Sequence, residues 1–151
     1  MAATPLITAL RVRYVECDMQ GHVFNGHYLM YFDLAHTEAL RAATGRTYPE
    51  LVQATGVDFV VAESGVRYLA PAYYDDLIEI AVAFEPLTTS SLTSRFTITR
   101  EGAVITTGFL RHVCVDSTDY KKTAWPEAIR AALEPYVDAA SNDAPTPSRP
   151  T

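Results

Sequence analysis

Residues 28–43 are the one long stretch of this chain with a helical period, and from residue 57 onward the period is two. Apolar side chains stand at Tyr28, Leu29, Phe32, Ala35, Ala39, Leu40 and Ala43, the spacing of one buried helical face. Asp33, Thr37, Glu38 and Arg41 fall mostly on the other side. One amphipathic helix and a set of strands can bury their apolar sides only against each other. The pattern therefore predicts an α+β fold, with five antiparallel strands against one long helix.

The strands come in order. Residues 6–16 alternate, with Leu10, Val12 and Tyr14 on one face and Arg11, Arg13 and Val15 on the other, which predicts strand one. The long helix is expected to stop at Thr44-Gly45, with Arg41 favourably placed in its last turns. Pro49 opens a short helix through Ala54, closed by Gly56. Residues 57–69, 76–85, 90–100 and 103–115 are rich in Val, Ile, Phe and Tyr and read as strands two to five. Pro71 and Pro86 break the run after strands two and three, and Glu101-Gly102 is a tight hairpin signal. Pro126 begins a last helix through about Tyr136. Residues 1–137 are thus expected to be one domain, and residues 138–151, with three prolines and small polar residues, a disordered tail.

Composition narrows the function. A formal net charge of -6 argues against a nucleic-acid binder, which needs a positive field. No apolar stretch is long enough to span a bilayer, and residues 1–10 lack the pattern of a secretory signal. Two cysteines, Cys17 and Cys114, make no disulfide framework and fit a reducing cytoplasm. The histidines, His22, His27, His36 and His112, match no zinc spacing and read as loop and helix-surface residues, so no metal is expected. There is no phosphate-binding glycine loop and no nucleophile elbow.

Chemistry concentrates just ahead of the long helix. Asp18 stands a short loop before a helix start whose first N–H groups lack intrahelical partners, and Asn25 and Gly26 are the natural caps there. On the residues alone two readings of Asp18 stand open: a loop cap that accepts backbone N–H bonds, or a carboxylate that works on an electrophile beside those N–H groups.

Tyr14, Asp18, Gly21, His22, Val23, Asn25 and Tyr28, followed by Phe32 and Glu38, resemble the 4-hydroxybenzoyl-CoA thioesterase family of the hotdog fold. Residues 66–80 and 110–116 agree in the same order, and the resemblance runs from Leu6 to about Tyr136. It is similar to the acyl-CoA thioesterase branch that includes the Tol–Pal-associated enzymes. The resemblance implies a five-stranded sheet wrapped around one long central helix, and a homodimer or homotetramer. It implies a thioester hydrolase with no metal or redox cofactor. Asp18 would be general base or nucleophile, and the N–H groups at Asn25 and Gly26 would polarise the carbonyl. That branch often has a histidine where Asn25 stands, and asparagine cannot shuttle a proton near neutral pH.

Tyr28 and Phe32 are expected to line an acyl pocket, and Glu63, on strand two with Arg67 four residues away, either reaches a partner subunit's cleft or forms an ion pair. Arg95, Arg100, Arg111, Lys121 and Lys122 are the supply of positive charge for nucleotide phosphates. Acyl-CoA is the expected substrate. The alternatives are an acyl-carrier-protein thioester, a hotdog hydratase, which the spacing of Asp18 and His22 resembles poorly, and a non-catalytic acyl-thioester-binding dimer.

Overall fold

The computed structural model describes residues 5–138. But for Asp138, the tail expected to be disordered lies outside the described residues. The elements run β1 (Leu6–Arg11), α1 (His27–Thr44), α2 (Tyr48–Thr55), β2 (Val57–Tyr68), β3 (Leu77–Phe84), β4 (Ser91–Arg100), β5 (Ala103–Asp116) and α3 (Glu127–Leu133). The five strands form one antiparallel sheet in the order β1-β3-β4-β5-β2. The fold is α+β, as the change of period predicts.

Local chemistry sets most boundaries. Gly45 takes φ 70° and its N–H caps Arg41, ending α1 after 18 residues. Thr47 and Glu50 form a reciprocal capping box at the start of α2, with Pro49 in the first turn. The β4–β5 hairpin turns on Glu101 and Gly102, both at positive φ, which suits a two-residue loop whose twist matches the strands.

Strand one is shorter than its alternation predicts. It ends at Arg11, and Tyr14–Glu16 winds into a 3₁₀ turn because Glu16 turns back to accept the Arg13 N–H at 2.8 Å and the Arg13 guanidinium at 2.9 Å. Tyr14 and Val15 are exposed as a result, while Val12 stays buried.

The buried stripe of α1 also differs from the expectation at its edges. Tyr28, Tyr31, Phe32, Ala35, His36, Ala39 and Leu40 are buried, and Leu29 is exposed. Position 29 lies one residue off the i, i+3, i+4 stripe that faces the sheet, whereas 31 and 36 lie on it. His36 and His112, read as surface residues, are in fact inside and stacked with ring centroids 4.2 Å apart.

Aromatic contacts join α1 to the sheet. Phe32 stacks on Phe96 of β4 at 4.6 Å, and Tyr28 meets Tyr68 of β2 edge-on at 5.3 Å. Gly108 of β5 makes room, since a Cβ there would lie 2.4 Å from the Phe32 ring and 2.4 Å from the Gly65 carbonyl oxygen. Fully burying a side chain like Phe32 contributes about 1.5–3 kcal/mol. The helix is therefore held at a fixed height above the sheet, and its N-terminus is held with it.

Candidate active site

The loop before α1 is a small closed hairpin. Cys17 bridges Val23, the Asp18 N–H donates to the His22 carbonyl at 3.0 Å, and the Gly21 N–H returns to the Asp18 carbonyl at 3.0 Å. Gly21 sits at φ 83°, where a side chain is strained, so glycine suits the turn. Two neighbours clamp the hairpin. The Val23 N–H bonds the Ala72 carbonyl at 2.9 Å, and the Phe24 N–H bonds the Glu16 carbonyl at 2.9 Å.

Beneath it lies Glu16, buried against Arg13. Burial pushes the Glu16 carboxyl up, but the hydrogen bonds from the Arg13 N–H and guanidinium outweigh this, and its net direction is down. Glu16 is therefore a buried anion that secures the base of the loop. Its part is invisible in the sequence, because alternation places Arg13 and Glu16 in a strand.

Asp18 serves as a cap and still has capacity to spare. Its Oδ1 accepts the Gln20 N–H at 2.8 Å, which is the loop-cap role. Its Oδ2 makes no hydrogen bond among the described residues. The side chain is half-buried on a recess of about 370 Å³ that His22, Asn25, Tyr28 and Tyr68 also line. Burial pushes the Tyr28 hydroxyl up, so it stays protonated. Leu69 and Pro71 close one wall, and the Arg100 guanidinium holds the Pro71 carbonyl at 2.8 Å.

The helix start opens on the same recess. Gly26 is the N-cap, with no side chain capping it, and Asn25 does not take the side-chain capping role its residue type suggests. The His27 N–H is spent on the Phe24 carbonyl at 3.0 Å. The Asn25 and Gly26 N–H groups have no acceptor among the described residues. They sit at the positive end of the α1 dipole, a setting that favours developing negative charge. The Tyr68 hydroxyl donates to the Asn25 carbonyl at 2.9 Å and fixes that peptide. Tyr68 lies 43 residues from Asn25 in the chain, and no local pattern marks it.

The remaining candidates fall elsewhere. Phe32 is wholly buried behind the recess, against Phe96, and does not line it. Glu63 pairs with Arg111 at 3.1 Å, not with Arg67. A bulge between Val61 and Glu63 shifts the β2 register and sets Glu63 directly opposite Arg111. Arg95 and Arg100 pair with Glu85 and Asp76. Of the cations expected to hold phosphates, Lys121 and Lys122 are exposed and form no ion pair among the described residues. No group of three or more His, Cys, Asp or Glu among the described residues is arranged to hold a metal ion. No helix among them is long and apolar enough to cross a membrane.

A half-free carboxylate beside two open N–H groups at a helix start is a setting for attack on a carbonyl. Residues 12–133 match the thioesterase-like superfamily. The chain belongs to that family. The acyl-CoA thioester hydrolase YbgC of Escherichia coli is 32% identical over 127 residues, covering 83% of this chain and 92% of that protein. A 1,4-dihydroxy-2-naphthoyl-CoA hydrolase from Thermosynechococcus vestitus is 24% identical over 144 residues, 94% of this chain and 98% of that one. The crystal structure of a hypothetical protein from Thermus thermophilus superposes with a TM-score of 0.79 at 33% identity, covering 86% of this chain and 98% of that chain. The family that the loop and helix residues resemble is thus the one to which the chain belongs, and the α+β architecture is that of its hotdog members.

Proposed function

We propose that this protein hydrolyses an acyl-CoA thioester to the free carboxylic acid and CoA. The observation that carries the proposal is the free Asp18 Oδ2 on a recess that Asn25 also lines, at a helix start where the N–H groups of Asn25 and Gly26 have no acceptor among the described residues. The acyl-CoA thioester hydrolase of Escherichia coli and the naphthoyl-CoA hydrolase of Thermosynechococcus vestitus act on CoA thioesters, which supports CoA as the leaving group.

Asp18 is the general base or the nucleophile. As base, Oδ2 takes a proton from a water while Oδ1 stays bonded to the Gln20 N–H, so the carboxylate keeps its orientation through the step. As nucleophile, Oδ2 attacks the thioester carbon, thiolate leaves, and water opens the anhydride. In both routes the carbonyl oxygen turns towards the Asn25 and Gly26 N–H groups, which stabilise the developing oxyanion. Tyr28 lines the approach of the acyl group, and Phe32 supports the helix from behind. The sheet wraps around α1 as the central helix of the hotdog roll. The working unit is a homodimer or homotetramer joined along β2, whose Glu63–Arg111 pair faces the partner. The free thiols Cys17 and Cys114 suit a cytoplasmic setting.

Free-thiol release from a panel of acyl-CoA thioesters tests the reading. At least one thioester is expected to turn over. Asp18→Asn is expected to lower that turnover by roughly a hundredfold while the fold survives. Wild-type turnover in Asp18→Asn would rule out the role given to Asp18.

A further inference from the structure

The connection between β2 and β3, residues 69–76, walls the Asp18 recess with Leu69, Ala70 and Pro71, and a cation from another strand holds it. Arg100, the last residue of β4, donates from Nη1 to the Pro71 carbonyl at 2.8 Å and to Asp76 Oδ2 at 2.9 Å. The same Asp76 oxygen accepts the Tyr73 N–H at 2.8 Å. The guanidinium also lies over the Tyr73 ring, 5.5 Å from its centre.

These bonds lead on to Asp18 through two planar peptides. The Tyr73 N–H shares its peptide unit with the Ala72 carbonyl, which accepts the Val23 N–H at 2.9 Å. The Val23 N–H shares its unit with the His22 carbonyl, which accepts the Asp18 N–H at 3.0 Å. His22 and Tyr73 are antiparallel bridge partners at the same point. In each unit the C=O and the N–H point opposite ways, so fixing one aims the other. A run of such bonds also polarises along its length. Ala72, at the centre, is wholly buried, so the run passes through the interior.

Stability alone is a poor reason for the pair. The Arg100 and Asp76 side chains are 27% and 24% exposed, and ion pairs open to water contribute little. Arg95 and Glu85 make a comparable pair from the same strand, at 2.6 Å, but neither side chain hydrogen-bonds a residue of the Asp18 recess among the described residues.

We infer that Arg100 and Asp76 are positioning residues for the hydrolysis, acting through the Ala72–Tyr73 and His22–Val23 peptides to hold the Asp18 hairpin in place over the recess. The role rests on the thioester hydrolysis proposed above. Neither side chain lines the recess, so neither touches the reacting atoms.

Arg100→Met keeps the stem of the side chain and removes the guanidinium. With the best thioester of the panel its kcat is expected to fall by about tenfold, with KM within about twofold, because a small displacement of a reacting group is costly. Asp76→Asn weakens the same run, and the double variant is expected to lose no more than Arg100→Met alone. Glu85→Gln breaks the comparison pair and is expected to leave kcat unchanged. Hydrogen exchange of the full chain, without substrate, reads the run itself. In Arg100→Met the Val23 and Asp18 amides are expected to exchange about tenfold faster or more, and the Leu51 amide of α2 at the wild-type rate. Wild-type kcat in Arg100→Met overturns the inference, and so does unchanged exchange at Val23 and Asp18. A raised KM at unchanged kcat also overturns it, marking a phosphate contact. Equal acceleration at Leu51 does the same, marking a general loss of stability. If Arg100→Met does not fold, as judged by thermal melting, Asp76→Asn takes its place in both measurements. Absence of turnover in the wild-type chain would sink the hydrolase reading, whereas the exchange rates still decide whether Arg100 holds the Asp18 hairpin.

Discussion

The Tyr68 hydroxyl donates a 2.9 Å hydrogen bond to the carbonyl of Asn25, and so ties edge strand β2 to the start of α1. That carbonyl shares its planar peptide unit with the Gly26 N–H, which points the opposite way. The bond therefore aims and polarises one of the two open donors at the start of α1.

Tyr68→Phe should separate this role from packing. The ring still meets Tyr28, so the melting temperature should move little, in line with about 0.5–1.5 kcal/mol for one lost hydrogen bond. If the Gly26 N–H acts on the oxyanion as proposed, the kcat for the best thioester should fall by about threefold to tenfold with KM nearly unchanged, because that donor is less well aimed. Steady-state kinetics beside thermal melting checks it. An unchanged kcat would show that the Asn25 peptide needs no such support.

Gly108→Ala should destabilise the fold by about 1–3 kcal/mol. The added Cβ meets the Gly65 carbonyl oxygen and the Phe32 ring, both at 2.4 Å, and the first of these is backbone that cannot turn aside. Gly26→Ala is the contrast, since its Cβ meets only the half-exposed Phe24 ring, at 2.8 Å. Urea denaturation of both variants should show the larger loss at Gly108.

Stability should fall on mild acidification. His112 is held neutral by burial, at about 4 in the folded chain against an ordinary 6.5, and His36 is shifted the same way. Between those values the unfolded chain binds more protons, so the stability of unfolding rises with pH and is lost as pH drops through the window. His112 alone accounts for about 2 kcal/mol between neutrality and about pH 5. Glu16, shifted down, adds a loss of the same sign below its ordinary 4.5. His112→Phe should lessen the loss in the upper part of the profile, leaving the share of His36, and spare the lower part. Urea midpoints across that range measure both.

Light scattering should give at least about twice the 16.6 kDa monomer mass. β2 is a 12-residue edge strand with Val60 and Val61 turned to solvent, and a long apolar edge calls for cover. A strictly monomeric protein at micromolar concentration would remove the basis for placing Glu63 in a partner's cleft.

Elements were legible wherever a boundary rests on neighbours in the chain. Gly45, the Thr47–Glu50 box and the Glu101-Gly102 turn act over a few residues, and the sequence locates each of them. The loop that carries Asp18 and the helix that carries Tyr28 were legible for the same reason. Strand one was read too long because alternation continues through Tyr14, whereas the Arg13–Glu16 contact competes with extension and wins.

Pairs far apart in the chain needed the folded molecule. Tyr68 meets Asn25, His36 meets Ser94 and His112, and Glu63 meets Arg111, each across 43 residues or more. Periodicity assigns a residue to a face, but not to the side chain on the facing element. That choice depends on sheet order, on the β2 bulge and on the height of α1 above Gly108. Residue order thus settled which segments curl or extend, except at the end of strand one, and that the carboxylate stands just ahead of α1. Packing settled that Phe32 lies behind the recess, that Asp18 keeps one oxygen free, and that two histidines are buried with unpaired nitrogens. Each of these outcomes is a balance of burial against hydrogen bonding that exists only once distant strands have met.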